Sequence, residues 1–190
     1  MTTRPPVLSA IEKRAATPEA LAPFGLDTLR AQAPLIFPRD PNLPPSPKPR
    51  YQSTYQYLGP AGLTAEILDT GSAWEISCYL IDYSGLEPLL AAHVYAPSAK
   101  GQTPFHPVSM YLLSLYRHAH HLSRPAVLRL LQHPTNGQTL RACTGFSDTF
   151  PGESGVRDFE RRLTPELQQE INACLIDLLY HAGLLPVKPE

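Results

Sequence analysis

Arginine side chains offer the clearest chemistry in this sequence, and three of them lie in residues 154–163, SGVRDFERRL. The apolar residues with helical spacing in this segment are Val156, Phe159 and Leu163. If they form the inner face of a helix, Arg157 and Arg161 lie one turn apart on its outer face, with Arg162 beside them. A guanidinium can bind a phosphate or the O6/N7 edge of guanine through two hydrogen bonds. The segment therefore predicts a helix that contacts DNA.

Other side chains complete this candidate DNA-contacting set. Ser154 is predicted to cap the helix, where its hydroxyl and the free backbone N–H groups can take a phosphate. The remaining phosphate contacts are expected from arginines earlier in the chain, namely Arg117, Arg124 and Arg129. An alternative stays open, because the acids of this region can pair with the arginines and leave a solvated, salt-bridged face. These acids are Glu153, Asp158 and Glu160.

The sequence favours neither a metal site nor a catalytic one. His118 and His121 share a helix face, but His120 points elsewhere, so no metal ligand and no cofactor is expected. The three scattered cysteines, without a CxxC pair, are expected to be reduced thiols. A phosphate-binding loop, a nucleophile elbow and a zinc-protease motif do not occur in the sequence. No catalytic residue is therefore assigned.

Charge is unevenly distributed along the chain. The net charge is −1, which argues mildly against a nucleic-acid binder. Residues 105–165, however, hold seven arginines, no lysine and four acids. The start of the chain has no apolar signal segment, and no run approaches the length of a membrane span. We therefore expect a cytoplasmic, soluble protein with no membrane partner.

Helix signals place these side chains in an all-α unit over residues 105–187. Pro107 suits a first helical position, and Ser123 and Thr164 each precede a helix that has proline in its first turn. Breaks are expected near 122–124, 133–137, 146–153 and 163–165. The predicted fold is a compact, helix-turn-helix-like bundle of four to five helices.

The preceding residues give weaker signals. Residues 1–50 hold 11 of the 22 prolines and are predicted to be an irregular, flexible arm, with at most a short helix over residues 8–16. Residues 51–104 form a lead-in with one or two helices. Within it, residues 73–83 can be a helix or a buried strand, because periodicity does not decide between the two in so short a run.

Five segments in order resemble the N-terminal domain of bacterial insertion-sequence DDE transposases. They are GQTPFHPVSM from Gly101, HLSR from His121, LRACTGF from Leu140, PGESGVRDFERRL from Pro151, and TPELQQEI with the helix that ends in GLLP. The resemblance covers about residues 80–187. This chain has Gly152, Gly155 and Asp158 where the family pattern has aspartate, threonine and arginine.

The resemblance implies a domain that binds double-stranded DNA at the terminal inverted repeats of a mobile element. The family's catalytic carboxylates would lie in a later domain, so the chain is expected to be non-catalytic as it stands. Two alternatives remain open. One is a protein-interaction module that binds itself or a full-length transposase, and the other is a repressor that binds the same ends.

Overall fold

The computed structural model describes residues 24–44, 50–95 and 102–184, and these residues are mostly helical. The chain divides into two compact units. The first unit comprises Met1–Phe37, Leu58–Asp82 and Thr164–Glu190, and the second comprises Pro38–Tyr57 and Tyr83–Leu163. This division differs from the sequence-based one, because the last helix of the expected 105–187 bundle falls in the first unit.

The described residues of the first unit form four helices and a short parallel sheet. The helices are α1 (Leu26–Gln32), α2 (Ala65–Thr70), α3 (Ala73–Leu80) and α9 (Pro165–His181). A single 3₁₀ turn, Pro60–Gly62, precedes α2. Strand β1 (Leu35–Ile36) pairs with β2 (Ile81–Asp82), with Leu35 opposite Ile81. The segment that the sequence left open is therefore a helix followed by a short strand.

Residues 26–37 correct the prediction of an irregular arm. They form α1 and β1, and Leu29, Leu35 and Phe37 are buried. The Arg30 guanidinium donates two hydrogen bonds to the Leu63 carbonyl, which ties α1 to the chain after the 3₁₀ turn. This segment contacts Leu63 and strand β2, which both lie far along the chain. A count of nearby prolines could therefore not reveal these contacts. The helix expected over residues 8–16 lies outside the described residues.

The second unit is built around α5 (Pro107–Ala119). The other helices are α4 (Glu87–Val94), α6 (Arg124–Gln132), α7 (Gln138–Thr144) and α8 (Glu153–Arg162), and each of them packs against α5. A 3₁₀ turn, Tyr83–Leu86, leads into α4. The mainly helical character expected for residues 105–185 is confirmed over residues 105–184, as are the expected breaks. Side chains of this core include Leu112, Leu113, Val127 and Leu131.

The caps explain where these helices begin and end. Ser123 Oγ accepts the Ala126 N–H at the start of α6, and Thr164 Oγ accepts the Leu167 N–H at the start of α9, as expected from the sequence. Gly145 ends α7 in the left-handed conformation with φ of 78°. A Cβ at this position would overlap the Thr54 carbonyl oxygen.

Within the described residues, no helix is long and apolar enough to cross a membrane.

Candidate nucleic-acid interface

Helix α8 turns its apolar face inward, as the sequence predicts. Val156 and Phe159 are buried on the helix and Leu163 is buried just after it, where α8 packs against α5 and α6. The prediction that Ser154 caps the helix is wrong. The N-cap residue is Gly152, which has no side chain to accept a hydrogen bond. Its extended backbone, with ψ of 167°, lets the helix begin at Glu153. Ser154 is therefore an exposed residue of the first turn.

Arg157 and Arg161 lie on the outer face of α8, one turn apart. Their side chains are 62% and 73% exposed. Asp158 lies between them, and its Oδ1 atom is 3.7 Å from Arg157 Nε and 3.6 Å from Arg161 Nη2. These distances exceed those of hydrogen bonds, and exposed ion pairs of this kind stabilise a fold by about 0–1 kcal/mol. Both guanidiniums therefore remain accessible to a ligand.

Two further predicted contact residues differ in their surroundings. Arg162 donates from Nη1 to the carbonyl oxygen of Val94, the last residue of α4, at 2.5 Å. This hydrogen bond satisfies a carbonyl at the end of that helix. Arg129 is exposed on α6, and no hydrogen bond or ion pair joins it to another described residue. Arg162 is exposed but has one guanidinium nitrogen engaged within the domain, whereas Arg129 is free to contact a ligand.

Arg117 and Arg124 share a single buried carboxylate, that of Glu160. Arg117 Nε lies 2.6 Å from Glu160 Oε1, and Arg124 Nε lies 2.8 Å from Oε2. The Ser114 hydroxyl also donates to Oε1, at 3.1 Å. Only 8% of the Glu160 side chain is exposed. One carboxylate therefore joins α8 to both α5 and α6.

The two arginines are not equally available. Arg117 is 14% exposed, and its other nitrogens donate to the Leu122 carbonyl and to His118 Nε2. We therefore assign Arg117 to the structure of the domain and leave it out of the interface. Arg124 is 34% exposed and uses only Nε for Glu160, so its two Nη groups can still meet a phosphate. Sequence reasoning missed Glu160 as the common partner because it lies 36 and 43 residues away.

The histidines at the end of α5 differ in their neighbours. His120 stacks on Tyr116 with ring centroids 4.2 Å apart, and its pKa is lowered by burial and, secondarily, by the neighbouring His121. Among the residues that the structure describes, no group of three or more histidine, cysteine or acidic side chains is placed to hold a metal ion. Cys78 and Cys143 are buried free thiols, and Cys174 is a half-buried one.

His106 lies at the centre of a cluster of aromatic and polar side chains that the sequence did not indicate. Its Nδ1 accepts the Val108 N–H and so caps α5, while Nε2 lies 3.9 Å from Glu87 Oε2. The Tyr51 ring contacts the imidazole edge to face, and the Tyr51 hydroxyl donates to Glu87 Oε1 at 3.0 Å. Burial lowers the pKa of His106, and Glu87 opposes this effect. The cluster stabilises the start of α5.

Charge follows the two units rather than the whole chain. The described residues of the second unit carry nine arginines and six acids, a net charge of +3. Those of the first unit carry one arginine and eight acids, a net charge of −7. The described residues thus form a basic unit and an acidic unit, a division that the net charge of the whole chain does not reveal. The unit that contains α8 has the charge sign of a polyanion binder.

Comparison with protein-family models, with curated proteins and with solved structures finds no match to this chain.

Proposed function

We propose that the second unit is a DNA-binding domain and that α8 is the helix that contacts DNA. The observation that carries this proposal is the pair Arg157 and Arg161, exposed one turn apart on a helix whose other face is packed into the domain. Arginines in this arrangement suit both phosphates and guanine edges in a major groove. In keeping with the transposase resemblance, the DNA would be the terminal inverted repeats of an insertion sequence.

The surrounding helices suit this role because they hold α8 firmly. The Glu160 carboxylate joins α8 to α5 and α6, and these three helices form a helix-turn-helix-like group in our proposal. A reading helix must keep its orientation when its outer side chains meet DNA, which the buried carboxylate favours. Arg124 and Arg129 on α6 would add phosphate contacts beside the helix.

The test is a binding titration with a charge-matched control. Wild-type protein first selects its preferred duplex from a random library, and affinity is then measured at about 50 and 200 mM salt, where phosphate contacts dominate the change. Arg157→Ala/Arg161→Ala is compared with Arg39→Ala/Arg50→Ala, which removes two exposed arginines of the same unit that are not part of α8. Circular dichroism checks that each variant is folded.

We expect the α8 double variant to bind the selected duplex far more weakly than the control variant. Each lost base contact costs about 1–3 kcal/mol, and each lost phosphate contact lowers the salt slope by about one. Equal losses in the two variants would show that α8 is not the reading helix. If the wild-type protein binds no duplex near physiological salt, the DNA-binding proposal is wrong.

Self-association is a second candidate function, supported by the opposite charges of the two units. The acidic first unit of one copy can attract the basic second unit of another through complementary charge. Sedimentation velocity without DNA tests this candidate. Oligomers that dissociate as salt is raised would support it, and a monomer at every salt concentration would exclude it.

A further inference from the structure

We propose that Asp158 is a specificity-determining residue of α8, which holds Arg157 and Arg161 for contacts with base edges and disfavours their use on phosphates. This inference rests on the proposed DNA-binding function. It concerns sites that contain G·C pairs, because arginine suits the O6/N7 edge of guanine and a carboxylate suits the N4 amino group of cytosine.

The three acids of α8 have different surroundings, and only Asp158 lies between the two exposed arginines. Glu160 is buried between two arginines of neighbouring helices. Glu153 lies in the first turn, where the helix dipole favours a negative charge. Asp158 lies in the helix interior, where aspartate is a poor helix former, and its side chain is 44% exposed. Its ion pairs contribute at most about 1 kcal/mol to the fold, so its placement on the arginine face is better explained by a role in binding.

The positions of the two arginines around Asp158 indicate what this role is. Arg157 and Arg161 approach the same oxygen of Asp158, Oδ1, from either side. No hydrogen bond or ion pair occupies Oδ2 within the described part of the chain, so this oxygen is available to an amino group. Weak ion pairs of this kind favour one geometry of two long side chains and so reduce the rotamer freedom that they lose on binding.

Charge decides which part of DNA such a face prefers. A carboxylate within 4 Å of both guanidiniums cancels part of their positive charge and is repelled by phosphates. That arrangement weakens sequence-independent binding, which depends on neutralising phosphates. At base edges the same carboxylate can accept a hydrogen bond, so it opposes binding less there than it does at phosphates. Asp158 therefore increases specificity at the expense of affinity for random DNA.

Asp158→Asn and Glu153→Gln form a matched pair for the test, because each removes one exposed negative charge from α8 with little change in shape. Affinity is measured for the wild-type-selected duplex and for a random duplex of equal length. For Asp158→Asn we expect a higher affinity for the random duplex and a fall of about 5- to 150-fold in the selected-to-random ratio, the range of one good base contact. For Glu153→Gln we expect both affinities to rise together, with an unchanged ratio.

A further measurement separates this inference from the function on which it rests. In the Arg157→Ala/Arg161→Ala background, Asp158→Asn should lower the ratio less than it does in the wild-type protein, because the part of its effect that acts through the two arginines is gone. If Asp158→Asn behaves like Glu153→Gln while the wild-type protein still selects a duplex, the role of Asp158 is wrong and DNA binding stands. If the wild-type protein binds no duplex, both proposals fail.

Discussion

Glu160 is the residue whose loss should most weaken the second unit without creating a cavity. Glu160→Gln keeps the shape of the side chain but leaves Arg117 and Arg124 without their counter-charge, and Arg117 is largely buried. Removing one partner of a buried ion pair costs about 3–5 kcal/mol, and the partial exposure of Arg124 reduces this figure to about 2–3 kcal/mol. Urea denaturation measures the free energy of unfolding.

The control for this variant is Glu153→Gln on the same helix. Glu153 is exposed, so its substitution should change the free energy of unfolding by no more than about 0.5 kcal/mol. Equal stability of the two variants would mean that the Glu160 carboxylate does not hold α8 to its neighbours.

Two buried serines of α5 should respond to alanine with opposite signs. The Ser109 hydroxyl is buried and has no hydrogen-bond partner among the described residues, whereas the Ser114 hydroxyl donates to Glu160 Oε1. Ser109→Ala removes an unpaired polar group and improves helix propensity, so it should stabilise the protein by about 1 kcal/mol. Ser114→Ala leaves Glu160 short of a donor and should destabilise it by about 1 kcal/mol. Thermal melts of both variants test the pair, and two changes of the same sign would contradict it.

The helices of residues 105–181 could be predicted because their signals are local. Proline and a capping residue mark the starts of α6 and α9, and the apolar spacing of Val156 and Phe159 indicates which face of α8 is exposed. The same spacing placed Arg157 and Arg161 on the outside. These features depend on neighbours within one or two turns, so the sequence alone contains them.

The features that the sequence did not reveal depend on distant partners. Strand β1 has two residues and pairs with β2, which lies in another part of the chain. Likewise, the ion pairs of Glu160 join it to arginines that lie 36 and 43 residues earlier in the chain. A carboxylate next to arginines in sequence looks like their partner, but the packing of α8 turns Glu160 away from Arg161 and towards α5 and α6. Only the tertiary structure decides between such partners.

Helix α8 also has a glycine that its fold does not require. Gly155 is exposed in the first turn, and a Cβ there would meet nothing within 4 Å. Gly155→Ala should therefore stabilise the protein by about 0.5–1 kcal/mol through helix propensity. Gly145→Ala is the contrasting variant, because its positive φ and the nearby Thr54 carbonyl make any Cβ destabilising. Denaturant midpoints should move in opposite directions, and a lower midpoint for Gly155→Ala would show that the glycine is needed within the fold.

The described residues of the two units carry net charges of opposite sign. A whole-chain net charge of −1 argued against nucleic-acid binding, but that argument averaged a basic unit with an acidic one. Electrostatic attraction to DNA is screened within about 8–10 Å at physiological salt, so the local charge around α8 matters more than the total. A charge count is therefore informative only after the fold has assigned each residue to its unit.

Acid should destabilise the whole protein in part through His106. Burial lowers the pKa of this histidine below the usual 6.5, so between the two values the unfolded chain binds a proton that the folded protein does not. Stability must then fall as the pH drops below about 6.5, and this loss ends once the folded His106 is also protonated. Protonation at Nδ1 would also remove the acceptor of the Val108 N–H at the start of α5. The charged or titratable groups near the ring are Glu87, Tyr51 and Tyr55.

Two substitutions should change the pH dependence of the free energy of unfolding in opposite directions. His106→Asn keeps a good capping side chain but removes the titration, so the free energy of unfolding should fall less steeply as the pH drops below about 6.5 than in the wild-type protein. Glu87→Gln removes the charge that raises the His106 pKa, so the folded protein resists protonation to a lower pH and the loss should continue further into acid. Urea denaturation across this range measures both slopes. A wild-type slope in His106→Asn would show that the buried imidazole does not contribute to acid sensitivity.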